Sequence, residues 1–404
     1  MPKDIKKRPK QSPKLLNSEL LEGADYVIDC EKGLRRVKPY YFTFKTWVKG
    51  RWIGKTLVEI FTTEFRDRDS EYYRQAIIDG RVQVNGEPSN GELILKNGDI
   101  LTHTSHRHEP PVTSKPVEIV HQDDDLIVIN KPAGVPVHPA GRYRHNSVLN
   151  ILSIEHKVST NIAPCNRLDR LTSGLMFFSQ HASSAEKMRK YLFDREVSKE
   201  YVARVIGDFP EGEIICEEPL MTVNPLLGLN RVHPNGKSAK SVFEKLSFNG
   251  VTSVVKCRPF TGRTHQLRVH LQFLGHPIAN DPLYANKRVW GETSNDWRNK
   301  TDEEISEKLL NLNKSELADF GNFAPTKSDY VTEETREQAT ERRDKRLGEL
   351  LTGDICDVCQ APLYSDPSPT ELGIFLHALK YWADDGSWSY STDQPDWASV
   401  DWKG

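Results

Sequence analysis

Residues Asn166-Arg167-Leu168-Asp169-Arg170-Leu171-Thr172-Ser173-Gly174 run without a break into the apolar stretch Leu175-Met176-Phe177-Phe178. No other feature constrains the fold more. The apolar stretch has to be buried, so the charged turn before it has to lie at the edge of whatever buries it. That turn carries one carboxylate, Asp169, between two arginines. An acid flanked by cations stays ionised well below neutral pH, which suits a nucleophile held in a cleft. The same string also reads as a surface salt-bridge turn leading into a buried strand. The ten residues alone leave both readings open.

The 404 residues suffice for two or three domains. No apolar run approaches the roughly 18 residues needed to span a bilayer, and the N-terminus has no apolar segment of the secretory kind. Cys30, Cys165, Cys216, Cys257, Cys356 and Cys359 are mostly scattered, so free thiols in a reducing compartment are expected. The net charge of −2 hides an asymmetry. Residues 1–55 hold 14 Lys/Arg against 6 Asp/Glu, whereas residues 292–404 hold 12 against 24. A basic arm with an acidic tail is a pattern of nucleic-acid binders. Lys6-Lys7-Arg8-Pro9-Lys10 reads as a nuclear import signal, a phosphate-binding arm or a plain tail. It lacks the Arg- and Ser-rich amphipathic pattern of a mitochondrial presequence. A cytoplasmic and nuclear location is therefore expected, with mitochondria not favoured.

Five segments follow from composition and periodicity. Residues 1–50 are basic and Tyr-rich and read as an extended arm. In residues 51–112 an apolar period places Leu57, Ile60 and Phe61 on one helical face, and a second helix runs from Asp69 to Ile78. Val82-Gln83-Val84-Asn85-Gly86 then alternates and ends in a hairpin signal. Residues 113–290 mix strands (Leu126–Asn130, Tyr201–Gly207, Val251–Cys257) with helices (Ser147–His156, Ala182–Arg195). Their order is not strictly alternating, which favours an α+β fold over a doubly wound sheet. Residues 291–370 are charged and poor in aromatics. They read as a partly helical, partly mobile insertion, with helical periodicity at Thr301–Leu312 and Glu333–Leu351. Residues 371–404 return to the main domain.

Four blocks in order carry a family resemblance. They are Asn130-Lys131-Pro132-Ala133-Gly134-Val135-Pro136-Val137-His138-Pro139, the Asp169 string, Lys199-Glu200-Tyr201-Val202-Ala203-Arg204, and Phe260 to Tyr284 with Gly262-Arg263-Thr264-His265-Gln266-Leu267-Arg268. Together they resemble the RluA-type family of RNA pseudouridine synthases. Residues 51–112 resemble an S4-type RNA-binding module, which often precedes that catalytic domain. The resemblance implies a mixed, largely antiparallel sheet with flanking helices and a central cleft. It also implies that Leu376-His377-Ala378 lies on a helix returning the chain to the sheet. Asn166, where the family more often has His, Leu171, where a polar residue is common, and the arm Arg35-Arg36-Val37-Lys38-Pro39-Tyr40-Tyr41 resemble the eukaryotic, especially fungal, branch. That branch resembles the synthases that modify uridine 32 of the tRNA anticodon loop. Ribosomal or other RNA is the alternative substrate, and a non-catalytic RNA-binding or folding factor is the alternative of another class. The expected partner is RNA, above all tRNA, and the chain is expected to act as a monomer.

The implied chemistry breaks the bond between uracil N1 and ribose, turns the base and rejoins it through C5. It calls for no metal or redox cofactor. The target base must first leave its stack. By resemblance, Asp169 is the nucleophile, Tyr201 stacks on uracil and exchanges a proton, and Arg268 pairs bidentately with Asp169. Arg167 helps displace the base. Arg170, Arg263, His265, Gln266 and Lys131 are candidate RNA or site contacts, and Thr172 and Ser173 hold the turn. In the N-terminal module Arg66, Arg68, Arg74 and Arg81 would touch phosphate.

Metal chemistry has weak sequence support. There is no His-x-Glu element of a zinc deaminase. His103, His106 and His108 lead into Pro110-Pro111 and read as a polar linker. Cys356 and Cys359 supply two of the four ligands a structural zinc needs, no second pair follows, and His377 would be only a third. No metal site is expected.

Overall fold

The structure, a computed structural model, describes residues 24–65, 70–159, 161–194, 196–225, 227–291, 300–311, 351–364 and 366–402. Arg66 and Arg68, the basic run Lys6–Lys10 and residues 333–350 of the expected second insertion helix lie outside them.

The N-terminal part is built from strands as well as helices. Strands β1 (Tyr26–Asp29) and β2 (Leu34–Val37) form a hairpin, and β3 (Tyr40–Trp47) follows. The extended arm expected over residues 1–50 is thus corrected for its second half. The cause is non-local, because all eight residues of β3 pair antiparallel with β6 (Ile100–Arg107) far along the chain. Between them lie helices α1 (Leu57–Thr63) and α2 (Ser70–Ile78) and the short strands β4 (Val82–Val84) and β5 (Glu87–Pro88). A capping box starts α1: Thr56 Oγ1 accepts from Glu59 N, and the Glu59 carboxylate accepts from Thr56 N. Asn85 and Gly86, both at positive φ, make the tight turn between β4 and β5. Leu57, Ile60 and Phe61 of α1 and Tyr73, Ala76 and Ile77 of α2 bury against Val82, Val84 and Leu101.

The remainder of the described chain centres on a ten-stranded sheet. Strand β7 (Val112–Thr113) pairs with β2 and leads into β8 (Glu118–Gln122) and β9 (Leu126–Lys131). Helix α3 (Val148–His156) and strands β10 (Ala163–Pro164) and β11 (Ser173–Ser179) follow. Next come α4 (Ala182–Phe193), β12 (Val197–Ile206), β13 (Glu213–Cys216), β14 (Leu220–Asn224), β15 (Leu229–Val232), β16 (Ser241–Phe248) and β17 (Thr252–Pro259). Helices α5 (Gln266–Phe273), α6 (Lys287–Trp290) and α7 (Asp302–Asn311), the hairpin β18 (Leu351–Ile355) and β19 (Pro362–Tyr364), and strands β20 (Leu376–Ala383) and β21 (Ser389–Ser391) complete the described chain. The main sheet order is β13-β16-β17-β12-β20-β11-β9-β8, antiparallel except for β11 beside β20. The apolar run after Asp169 is β11, buried along nearly its whole length against β9 and α4 residues.

Strand β20 corrects the helix expected at Leu376-His377-Ala378. Ala, Leu and Lys are good helix formers, yet the segment fills the gap between β12 and β11 and pairs with both. Pairing on two sides outweighs local propensity. The gap is narrow. A Cβ at Gly174 would sit 2.3 Å from the Ala378 carbonyl oxygen, and Gly174 has φ of +111°. Only glycine lets the two backbones meet there.

The N-terminal part is fastened to the sheet through Glu109. Its carboxylate accepts backbone N–H bonds from Arg144, His145 and Asn146, each at 2.9 Å, and one from the Tyr40 hydroxyl at 2.5 Å. A buried carboxylate filled by four donors is fully satisfied.

Candidate active site

Asp169 lies in the turn just before β11. Thr172 N donates to the Asp169 carbonyl at 3.1 Å, and Asn166 Oδ1 accepts from Phe177 N at 2.9 Å. The turn is thus closed onto the strand that follows it. The Asp169 side chain keeps 30% of its surface exposed, while Arg268 beneath it keeps 1%. Arg268 Nη1 donates to Asp169 Oδ2 at 3.2 Å, and His265 Nε2 lies 3.6 Å from the same oxygen. Burial alone would raise the Asp169 carboxyl. The His265 and Arg268 charges, with a contribution from Lys131, outweigh it and hold the group below the usual carboxylate range. The nucleophile candidate is therefore ionised.

The bidentate partner of Arg268 is a residue the sequence reading passed over. Arg268 Nε and Nη2 grip Asp281 at 2.6 and 2.9 Å, leaving Nη1 for Asp169. This corrects the expected bidentate Asp169–Arg268 pair. Asp281 has no side-chain exposure, and it also accepts from Leu283 N and Tyr284 N. A guanidinium sunk in α5 needs a full-time counter-ion, and an ionised Asp169 at the cleft can serve only part-time. Asp281 lies inside the fourth matching block, in Asn280-Asp281-Pro282, so its signal was present without a role attached.

Tyr201, on β12 at a bulge, shares a short hydroxyl–hydroxyl contact with Tyr381 of β20. Burial drives the Tyr201 phenol well above its ordinary value, and the Tyr381 and Asp169 groups push the same way. Tyr201 is consequently a neutral hydrogen-bonding group at physiological pH. Tyr381, itself pushed up to about 12 by burial, was not anticipated, because it comes from the strand taken for a helix. Next along β20, His377 bridges Ser173 Oγ (2.8 Å) and Thr392 Oγ1 (2.6 Å).

The other candidates separate. His265, at φ 56°, opens α5, and its Nδ1 lies 3.0 Å from the Tyr284 hydroxyl, so it belongs to the site. Arg167 is exposed at the same turn, and after burial its charge is the second cause that lowers His138. Arg263 is exposed and binds the Ser238 carbonyl. Three candidates for RNA contact are buried. Lys131 is fully enclosed, and its ammonium donates to the carbonyls of Pro132, Val135 and Arg170. Arg170 lies over the Tyr143 ring and donates to the Gly134 carbonyl. Gln266 spends its amide on Thr261, Arg263 N, Lys240 and Ser241. These three shape the loops and α5, and sequence could not separate burial from ligand contact for them. Leu171, polar in much of the resembling family, is buried beside Ala203, Leu267 and Ile374. Arg74 and Arg81 sit in the N-terminal module, Arg74 exposed and Arg81 paired with Asp79 at 2.9 Å.

Comparison with known proteins agrees with this geometry. The profile of a family described as RNA pseudouridylate synthase matches residues 125–273. The chain is 42% identical to the mitochondrial tRNA pseudouridine(32) synthase of Saccharomyces cerevisiae over 96% of its own length and 85% of that protein's. It is 42% identical to pseudouridylate synthase RPUSD2 of Mus musculus, covering 92% of this chain and 73% of that one. It is also 32% identical to the tRNA pseudouridine(31) synthase of Saccharomyces cerevisiae, over 92% and 97%. The first of these corrects the expected location. A relative matched along nearly the whole chain is named as mitochondrial, so the reading that mitochondria are not favoured falls. From the Asp169 cleft and from these full-length relatives together, the chain belongs to the RNA pseudouridine synthase family, enzymes that isomerise uridine in RNA to pseudouridine.

Proposed function

We propose that this enzyme acts on tRNA and converts uridine 32 of the anticodon loop, as a monomer. The observation that carries the reading is the 42% identity, over 96% of this chain, to a relative named for that position. The relative named for position 31 matches at 32%. In this reading the flipped base lies against Tyr201, whose neutral phenol offers a flat face and a hydroxyl already tied to Tyr381. Asp169 attacks as the ionised carboxylate. Arg268, clamped by Asp281, steadies it through one N–H and cannot swing away. His265 adds a second polar group at the same oxygen.

The N-terminal module serves as the RNA grip. Beyond Arg74, β3 exposes Tyr41, Phe44 and Trp47, and the Arg107 guanidinium lies 4.9 Å from the Phe44 ring centre. Exposed aromatics interleaved with arginine suit stacking on unpaired bases.

The test is carbodiimide-block mapping of tRNA and ribosomal RNA after incubation with the purified enzyme. A new stop at uridine 32, lost with Asp169→Asn, is the expected result. A stop at position 31 alone, or in ribosomal RNA alone, would overturn the substrate assignment and leave the reaction intact.

A further inference from the structure

His106, His108, Cys356 and Cys359 come from two places about 250 residues apart, yet their ligand atoms all lie within 4.8 Å of one another. No second ligand pair follows the cysteines in the chain. The second pair comes before them. On β6, side chains alternate between faces. His103 turns inward to the Tyr72 hydroxyl, whereas His106 and then His108, two residues on, share the opposite side. Cys356 and Cys359 flank the turn of the β18–β19 hairpin. Gln360, at φ 55°, and the bond from Cys356 N to the Ala361 carbonyl hold that turn. Val358 N points at Cys356 Sγ, 3.4 Å away. This backbone dipole favours a thiolate.

Two of the spacings match those around one ion, in a cluster no wider than 4.8 Å. Bonds of about 2.3 Å to sulfur and 2.0 Å to nitrogen in a tetrahedron put neighbouring ligand atoms roughly 3.3–3.8 Å apart. Cys356 Sγ lies 3.6 Å from His106 Nδ1, and His108 Nε2 lies 3.4 Å from Cys359 Sγ. The set is two thiolates and two imidazoles, the donor choice of zinc. Cys356 is buried, and the other three are half-buried.

We propose that these four residues bind one structural zinc ion that pins the β18–β19 hairpin to β6 of the N-terminal module. The same junction carries three further contacts. Asp366 pairs with Lys32 and Arg36 of the β1–β2 hairpin, and the Arg142 guanidinium lies over the Tyr364 ring. These weak surface contacts hold little alone. A metal clip closes a loop of some 250 residues, for which the unfolded chain gives up more entropy than for a short one. The ion thus holds the β18–β19 hairpin, which precedes β20 in the chain, against the N-terminal module.

The experiment uses the full-length protein purified without chelator. Zinc is counted by plasma mass spectrometry after extensive dialysis, and cobalt substitution is followed by absorption. About one ion per chain and tetrahedral cobalt bands with thiolate charge transfer are expected. Cys356→Ser and His108→Ala should each drop the content to near zero and lower Tm by about 5 °C. Cys30→Ser, at an exposed cysteine outside the cluster, should change neither. Cys359→His, which keeps a ligand, should retain the ion. If those variants fail to fold, thiol reactivity of the wild type decides. Zinc should protect two thiols from a disulfide reagent. Wild-type protein that holds no zinc at equilibrium, with Cys356 and Cys359 equally reactive in its presence and absence, would overturn the proposal. A Cys356–Cys359 disulfide in protein prepared under reducing conditions would overturn it as well.

Discussion

The catalytic cleft and the histidine–cysteine cluster both gather polar residues from distant parts of the chain, yet they are built on opposite plans. At the cleft, Asp169 sits in a turn before a buried strand and Arg268 in a buried helix. Asp281 locks Arg268 so that one N–H is left for the Asp169 carboxylate. Each part comes with its own dense local signal. In the cluster each half is a bare pair, His-x-His or Cys-x-x-Cys, and neither pair means anything until β6 and the β18–β19 hairpin meet. The cleft spends buried charge on geometry for a reaction. The cluster, on our proposal, spends ligands on holding two segments together.

The comparison can be broken most sharply at Asp169, the proposed nucleophile. Asp169→Asn keeps shape and loses charge, and should cut tritium release from C5-labelled uridine RNA by at least about 10³-fold. RNA binding, measured by titration, should change little. Activity within tenfold of wild type would remove the catalytic role from Asp169.

Next in size is the clamp. Asp281→Asn leaves the buried Arg268 without its main counter-ion and should cost about 3 kcal/mol in urea unfolding. Tritium release should also fall, by about 10²-fold, because Arg268 is no longer aimed. Arg268→Lys keeps the charge and cannot hold both carboxylates, so it should rescue Arg268→Met only in part. Full activity in the lysine variant would mean that charge alone, without the fork, suffices.

His377 sharpens the contrast between histidines that titrate and histidines that bind. Burial pushes it down from 6.5 to about 4. Between those values the unfolded chain takes up a proton and the folded chain does not. Stability therefore falls as pH falls through that window, by about 3 kcal/mol for this group, and levels off below it. His377→Gln should lose stability at pH 7 through its Ser173 and Thr392 bonds, yet show a shallower fall between pH 7 and pH 4.5 in parallel urea titrations. An unchanged slope would mean that His377 takes up its proton as readily in the folded chain as in the unfolded one.

The smallest expected effect is a coupling near zero. Cys356→Ser should leave kcat at saturating RNA within about threefold of wild type. Combined with Asp281→Asn, the losses in stability should add to within about 0.5 kcal/mol, because the two sites share no partner. Strong coupling would show that the junction and the cleft form one cooperative unit.

The sequence by itself was enough to point to the family, through continuous blocks, and it singled out Asp169, Tyr201 and Arg268 as the residues to test. The apolar run after Asp169 had to become a buried strand. Helices α1, α2, α3 and α4 and the turn at Asn85-Gly86 were also legible, because caps, period and turn chemistry act over a few residues. Tertiary structure decided what depends on partners far away. It made β20 a central strand, because two neighbouring strands required one there. It paired β3 with β6, which no local pattern announces. It turned Lys131, Arg170 and Gln266 inward, since their polar groups found backbone and side-chain partners that only the packed chain supplies. It gave Arg268 to Asp281 before Asp169, because a buried cation takes the counter-ion that is itself buried. And it brought His106 and His108 to Cys356 and Cys359, a distance in sequence over which short motifs carry no information.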